Sequence, residues 1–262
     1  MATDRSRKLS VPAIGRATAL MDLIADEPDS LTIASMARRL GLAKSSVHAQ
    51  CSTLEELGLL VRNSDNSYAI GPHVMHWSRA FARRSDVTAE FARIWDEGTD
   101  QLQGATITLS VLNGNDVVYI GARNSDHTPW FNFSIGMRLP MAFTATGQAF
   151  MTRMSETEIR NRFADGLPPP MTPHSPQSLD ELLQLVAEAR QRGYSIDNQA
   201  VSDGMICFGA LVLNASNEAV AGVAVSLPVR EATPDKREVI VRALTQISST
   251  ISRRLGAGIE AM

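Results

Sequence analysis

Residues 31–71 read LTIASMARRLGLAKSSVHAQCSTLEELGLLVRNSDNSYAIG. Ile33, Met36, Ala37 and Leu40 recur at helical spacing, and Gly41 follows at once, as a helix stop should. Val47, Cys51, Leu54 and Leu57 then repeat at steps of four, three and three, one apolar stripe of a second helix. The other side of that helix carries Ser45, His48, Ala49, Ser52 and Thr53, with Ser46 beside them and Lys44 at the start. Two short helices crossing at a tight turn, the second with a small and polar outer face, form a helix-turn-helix whose second helix is free to enter a major groove. Leu59, Leu60 and Val61 continue as a strand, Arg62 to Ser67 is dense in turn residues, and Tyr68, Ala69 and Ile70 return as a second strand. That two-stranded wing makes the unit a winged helix; the alternative is a helical hairpin packed on another part of the protein.

Working outward, the 262 residues suggest one large domain or two ordinary ones. Hydrophobic residues make up 44% and charged residues 20%, a globular composition. No run reaches the roughly 18 apolar residues of a membrane span, and the basic start, MATDRSRKLSVPAIG, lacks the apolar core of a signal peptide. Cys51 and Cys207 stand far apart, which excludes a disulfide framework and points to a reducing cytoplasm. The net charge of −3 does not announce a nucleic-acid binder, so distribution has to decide. Arg5, Arg7, Lys8 and Arg16 precede the first helix with only Asp4 opposing them. Positive charge is thus expected on a disordered N-terminal arm, on the start of the recognition helix and on the wing. Ser45 and His48 are the expected base readers, and Lys44 and Arg62 the expected phosphate contacts, with Ser46 and Ala49 on the same face.

Pro12 opens a first helix that runs to Asp26, with Ile14, Ala17, Leu20, Met21 and Ile24 on one side, and Glu27-Pro28-Asp29 stops it. Residues 73–95 read as a linker helix, broken if anywhere at Ser85-Asp86. His73 and His76 are three apart on it without a third ligand at metal spacing, so no metal is expected. From residue 100 the period changes to alternation. Strands at 106–112 and 117–123 flank Asn113-Gly114, a hairpin signal. Trp130 to Ile135 is a third strand candidate, and Met137 to Ala142 leads into a helix near 144–154. Ser155 with Glu158 is a capping box for the next helix, and Ser178 with Glu181 caps a further one. Strands follow at 194–198, 205–213 and 219–227, and Thr233-Pro234 starts a final helix. Hairpin-paired strands with helices alongside give an α+β fold with a mostly antiparallel sheet. The expected organisation is a winged helix-turn-helix over 1–72, a linker helix over 73–95 and an effector domain over 96–262.

At this point the chain resembles the IclR-type transcriptional regulators. GRATALMDLIADEPDSLTIASMARRLGLAKSSVHAQCSTLEELGLL is similar to the family's winged-helix pattern. Gly136 to Met141 before Thr144-Ala145-Thr146-Gly147-Gln148-Ala149 resembles its helix-start motif, and Arg192 to Asp197 followed by Cys207 resembles a second one. Val223 to Pro228 fits its last strand. The resemblance implies a DNA-binding domain and a GAF-like effector domain, in dimers often paired into tetramers. Two recognition helices of a dimer would face a pseudo-palindromic operator with half-sites about 34–36 Å apart. Repression is the commoner sign in the family.

The effector pocket is also legible as chemistry. Thr144, Ala145 and Thr146 lie at a helix start, whose amides lack partners and attract a carboxylate. Asp197, Cys207 and Ser226 sit on three strands, and Ala224 and Ser226, two apart, share a face. By resemblance these positions, with Met205 and Phe131, line the ligand site. Trp130, Phe131 and Phe133 concentrate aromatics there, either as core or as pocket walls favouring a bulky acid. An ionised Asp197 repels a carboxylate, so a ligand hydroxyl beside it is favoured. The expectation is a repressor of a catabolic operon controlled by a small organic acid, with no cofactor. The competing reading is an enzyme acting on a small carboxylic acid through Asp197, Cys207 and Ser226; it lacks a neighbouring histidine, metal spacing or a phosphate loop.

Overall fold

The computed structural model describes residues 10–27, 31–84, 86–96, 102, 104–124 and 131–258. The basic arm over residues 1–9, Pro28, Asp29, Ser85 and Trp130 lie outside the described residues. The chain divides into two units, 1–84 and 85–262.

The first unit is a winged helix: α1 (Pro12–Asp26), α2 (Ile33–Leu40), α3 (Lys44–Glu56), β1 (Leu60–Arg62), β2 (Tyr68–Ile70) and α4 (Val74–Arg84). Thr32 and Ser35 cap α2 reciprocally, satisfying donors that the first turn cannot. Gly41 ends it at φ 64°, where a side chain would be strained, and the Leu42 amide donates to the Ala37 carbonyl at 3.0 Å. The core gathers Leu20 and Ile24 from α1, Met36 and Ala37 from α2, Val47, Cys51 and Leu54 from α3, and Leu60 and Tyr68 from the wing. Two members of the expected stripes fall outside it. Leu57 is 56% and Ile14 65% exposed, because α3 ends at Glu56 and because Ile14 lies in the first turn of α1.

The stretch read as a linker helix, 73–95, with Ser85-Asp86 as its expected break, holds two helices: α4, and α5 (Asp86–Asp96), which belongs to the second unit.

The second unit is built on a six-stranded antiparallel sheet with strand order β5-β4-β3-β8-β7-β6. Its strands are β3 (Thr106–Asn113), β4 (Asp116–Arg123), β5 (Arg138–Pro140), β6 (Ser195–Asn198), β7 (Met205–Leu213) and β8 (Ala219–Pro228). The Asn113-Gly114 turn joins β3 to β4, with Gly114 at φ 64°. Of the strand expected at 130–135, the described residues 131–135 form none; Phe131 to Ser134 is irregular, and the edge strand is β5. The helices are α6 (Ala145–Met151), α7 (Glu156–Arg162), α8 (Leu179–Arg192) and α9 (Pro234–Arg254). Ser155, Ser178 and Thr233 each accept the third amide of the helix they begin, as their motifs require. No described helix is long and apolar enough to cross a membrane.

The sheet has two chemically different faces. One presents Ile107, Leu109, Ile206, Phe208, Ala210, Val223, Val225 and Leu227, which pack with α5 and α9 into an apolar core. The other presents Thr106, Thr108, Ser110, Ser195, Asp197, Cys207, Gly209, Gly222, Ala224 and Ser226 by strand alternation. Helices α6, α7 and α8 supply the second core on that side.

Helix α6 rests almost directly on this second face. A Cβ added at Gly209 would lie 2.7 Å from the Ala145 carbonyl carbon, and one added at Gly222 would lie 2.8 Å from Thr146 Cβ. A Cβ at Gly147 would strike the Met141 backbone, 2.1 Å from its carbonyl oxygen. Three missing side chains thus let the helix backbone approach the strands. The Ser195 hydroxyl donates to the Ala145 carbonyl at 2.5 Å, and the Arg190 guanidinium donates to the Thr152 and Met151 carbonyls at 3.0 and 3.2 Å, fastening both ends.

Gly209→Ala is therefore expected to lower the unfolding free energy of the second unit by roughly 1–3 kcal/mol through overpacking. Urea titration checks this; an unchanged midpoint would contradict the close seating of α6.

Candidate functional site

In the first unit the free side of α3 is small and polar. Lys44, Ser45, His48 and Ala49 are exposed, and Ser46 is half-buried, its hydroxyl accepting from Gln50 Nε2 at 3.2 Å. The burial of Val47, Cys51 and Leu54 turns these positions outward, since they occupy the remaining arc of the same helix. The Cys51 thiol is pushed up to about 11 by burial, then by Glu55, so it stays a neutral core side chain. In the wing, Leu60, Val61 and Arg62 pair with Ile70, Ala69 and Tyr68. Asn66 takes φ 65° at the turn, and its Oδ1 accepts from Arg62 Nη2 at 2.6 Å. Asp65 accepts from the Ser67 amide at 2.9 Å and hydroxyl at 2.6 Å, which holds its carboxyl below the usual range. The exposed Arg62 is thus carried on a wing whose turn is tied by its own side chains. The ring centroids of His73 and His76 lie 6.0 Å apart, and His73 packs edge-on against Trp77. Among the described residues no group of three or more His, Cys, Asp and Glu gathers to hold a metal.

In the second unit a cavity opens where the polar face of the sheet meets the start of α6. Thr108, Tyr119, Phe133, Thr144, Ala145, Thr146, Asp197, Val201, Cys207, Ala224 and Ser226 line it. Register builds it. Asp197 lies opposite Cys207, Cys207 opposite Ser226, and Ser226 opposite Thr106, one row across four strands. The next row on the same face runs Ser195, Gly209, Ala224 and Thr108. The row between them, Ile196, Phe208, Val225 and Ile107, faces the apolar core.

Seven of the nine positions expected from sequence line this cavity: Thr144, Ala145, Thr146, Asp197, Cys207, Ala224 and Ser226. Phe131 and Met205 do not. Met205 is buried at the start of β7, and Phe131 stands against the Phe133 ring, centroids 4.8 Å apart, so that Phe133 is the aromatic that reaches the cavity. Thr108, Tyr119 and Val201 complete the lining. The alternation Thr106-Ile107-Thr108-Leu109-Ser110 carries a signal for Thr108, since a core strand has no need of three hydroxyls on one face. Tyr119 is hidden from such reasoning by a bulge. The register of β3 and β4 shifts between Leu109 and Ser110, so Ser110 faces Tyr119 while Ile120 turns to the other core. Val201 comes from the turn between β6 and β7, where no periodicity applies.

The hydroxyls differ in how they are used. Thr144 caps α6 by accepting the Gly147 amide at 3.1 Å, and Thr146 Oγ1 accepts from Ser110 Oγ at 2.9 Å. Thr108 Oγ1 and Ser226 Oγ are buried with no hydrogen-bond partner. The Ser226 hydroxyl lies beside the Cys207 sulfur but outside hydrogen-bond geometry; Thr108 is the clearer case. A buried orphan hydroxyl costs about 1–3 kcal/mol, so each one asks for an explanation.

Asp197 is 1% exposed, and its Oδ1 accepts the Ala200 amide at 2.6 Å. Burial pushes its carboxyl up to about 7, against the pull of the Ala200 and Val201 amides and the Cys207 thiol. The Cys207 thiol is pushed well above its ordinary value by burial first and by Asp197 second. Tyr119 is pushed up chiefly by burial as well. Among the described residues no Lys, Arg or His lines the cavity. The cavity volume is about 10 Å³. That is room for about one water, so a larger occupant requires the lining to move.

Comparison with known proteins follows the same division. Residues 13–64 match the model of the IclR helix-turn-helix domain, and residues 80–253 match that of the bacterial transcriptional regulator IclR C-terminal domain. The HTH-type transcriptional regulator BhcR of Paracoccus denitrificans is 28% identical over 262 residues, covering 95% of this chain and 90% of that one. The crystal structure of the Agobacterium tumefaciens repressor BlcR is 38% identical with a TM-score of 0.63, covering 95% of this chain and 99% of that one. An IclR homologue of Microbacterium hydrocarbonoxydans, crystallised with 4-hydroxybenzoate, shares the fold at a TM-score of 0.74 and 18% identity, covering 92% of this chain and 99% of that one. Both units match, in the same order along the chain, and the second match alone spans well over half of it: this protein belongs to the IclR family of transcriptional regulators.

Proposed function

We propose that the protein is a repressor of a catabolic operon, and that a small organic acid bound in the cavity between α6 and the sheet controls its hold on DNA. The observation that carries this reading is the polar sheet face itself. Thr108 and Ser226 present buried hydroxyls without partners to a cavity walled on one side by Tyr119 and Phe133. A core with no ligand gains nothing from that arrangement, because each orphan hydroxyl destabilises the fold. An acid carrying an aromatic or apolar body and a hydroxyl would satisfy both. Its carboxylate would meet the first-turn amides of Ala145 and Thr146, which have no helical carbonyl behind them. The repressor named BlcR and the homologue bound to 4-hydroxybenzoate support the sign of regulation and the ligand class.

On the DNA side, Ser45 and His48 read bases, Lys44 and Arg62 hold phosphates, and Ser46 and Ala49 let the backbone of α3 come close. A homodimer, or a pair of dimers, engages a pseudo-palindromic operator in the cytoplasm. The ligand acts by favouring one of two arrangements of the DNA-binding units. An enzymatic role is disfavoured by the chemistry of the cavity: burial and Asp197 raise the Cys207 thiol, the opposite of what a thiolate nucleophile needs.

Thr108→Val tests the carrying observation. It removes an orphan hydroxyl at nearly constant volume, so it should raise the stability of the ligand-free protein by about 1 kcal/mol while weakening acid binding. Parallel thermal melts and calorimetry read both signs; a variant that is less stable and binds the acid as before would overturn the role given to Thr108. On the first unit, Arg62→Ala should weaken binding to all DNA sequences about equally and reduce the slope of log affinity against log salt by about 1. An unchanged slope in fluorescence anisotropy would remove Arg62 from the phosphate contacts.

A further inference from the structure

The cavity contains an imbalance of charge that an acid ligand makes acute. Asp197 supplies a carboxyl that is 1% exposed, and among the described residues no cationic side chain lines the space. Every element facing Asp197 is neutral in the range where proteins work. From β7 comes the Cys207 thiol and from β4 the Tyr119 hydroxyl, both pushed upward and so protonated. From β8 comes the Ser226 hydroxyl, and from α6 come Thr144 and Thr146. The buried residues of α8, which packs beside β6, are Leu182, Val186 and Ala189. The Ala200 amide donates to Asp197 Oδ1 at 2.6 Å, and the Val201 amide and Cys207 thiol also favour its ionised form, but neutral dipoles do not cancel two full negative charges in a buried site.

We infer, on the basis of the function proposed above, that the cavity takes a monocarboxylate together with one proton held on Asp197, and that it rejects dicarboxylates. The balance is simple. The ligand enters as the anion, one proton moves from solvent to the Asp197 carboxylate, and the complex carries the net charge that the ligand-free, ionised cavity had. The protonated carboxyl then becomes a donor to a ligand oxygen, where the ionised one would repel it. Among the described residues, a second ligand carboxylate finds neither a cation nor a second carboxyl to neutralise it. The direction of Asp197's own shift agrees. Its carboxyl sits near 7 before any anion arrives, so the proton is already close to being held.

The test uses the full chain and matched probes, 3-hydroxybenzoate against isophthalate and 3-hydroxypropanoate against malonate. Binding is followed by calorimetry from pH 6 to 9 in two buffers of different ionisation enthalpy. Below pH 6 Asp197 is already protonated and no proton is taken up. Above the value near 7 at which it ionises, hydroxy-acid affinity should fall about tenfold per pH unit, with uptake approaching one proton. At pH 8 each dicarboxylate should bind at least ~100-fold more weakly than its partner, because nothing neutralises its second charge. Asp197→Asn should lose both the slope and the proton uptake; should that variant not fold, the two-buffer measurement on the unaltered protein decides alone. A hydroxy acid that binds with pH-independent affinity and no proton uptake, or a dicarboxylate that binds as tightly, overturns this inference while leaving the proposed function standing. Failure of every probe to bind overturns both.

Discussion

The second unit depends on the seat of α6 against the sheet. A helix backbone does not ordinarily approach strands this closely, because Cβ atoms intervene on both sides. Here the intervening atoms are missing at Gly209 and Gly222, and Gly147 removes the obstacle between α6 and the Met141 backbone. The consequence is chemical as well as steric. The first turn of α6 reaches the same sheet face that carries Asp197, Cys207, Ser226 and Thr108, so the amides of one element and the polar side chains of four strands share one small volume. Larger side chains at those glycines would lift the helix, and the cavity would become an open cleft.

The two faces of the sheet divide the labour. The face toward α5 and α9 is apolar throughout and supplies the hydrophobic stabilisation of this unit. That surplus allows the other face to hold buried groups that do not stabilise it: two orphan hydroxyls and a carboxyl displaced far from its usual range. Such groups are expected to collect at functional positions and to be tolerated only where the surroundings fix them. The winged-helix unit shows the contrasting pattern. Among the described residues its buried side chains are mostly apolar, Ser67 on the wing and the side-chain oxygen of Gln50 being the polar exceptions, and its chemistry sits on the outside of α3 and at the wing.

Much of this was legible in the residues, and the exceptions have physical causes. Gly41 after a helical run, Asn113-Gly114 between alternating strands, and Ser or Thr three residues before a helical amide are local signals with local mechanisms, and each forms as its chemistry dictates. The α+β architecture follows from them. The polar positions on β6, β7 and β8 meet in one cavity because alternation fixes their face without further information. What escaped depended on longer-range facts. A bulge in β4 reverses the parity that would have turned Tyr119 away from the cavity. The aromatic-rich segment at 131–134 looked like a strand by composition, yet Arg138–Pro140 takes the edge position beside β4. Phe133 rather than Phe131 reaches the cavity, a choice that spacing cannot make in an irregular segment. The division of 73–95 falls at Ser85-Asp86, the one place where the sequence offered a break in the helix.

The central claim is that occupancy of this cavity governs DNA binding. Ala224 lines the cavity on β8 and is 5% exposed, so Ala224→Leu fills the space without touching α3 or the wing. The most direct measurement is the release of operator DNA by a bound hydroxy acid, followed by fluorescence anisotropy in the unaltered protein and in Ala224→Leu. The account predicts that both bind the operator, that the acid releases the first, and that it leaves the second on DNA. Equal release of both proteins by the acid would contradict it.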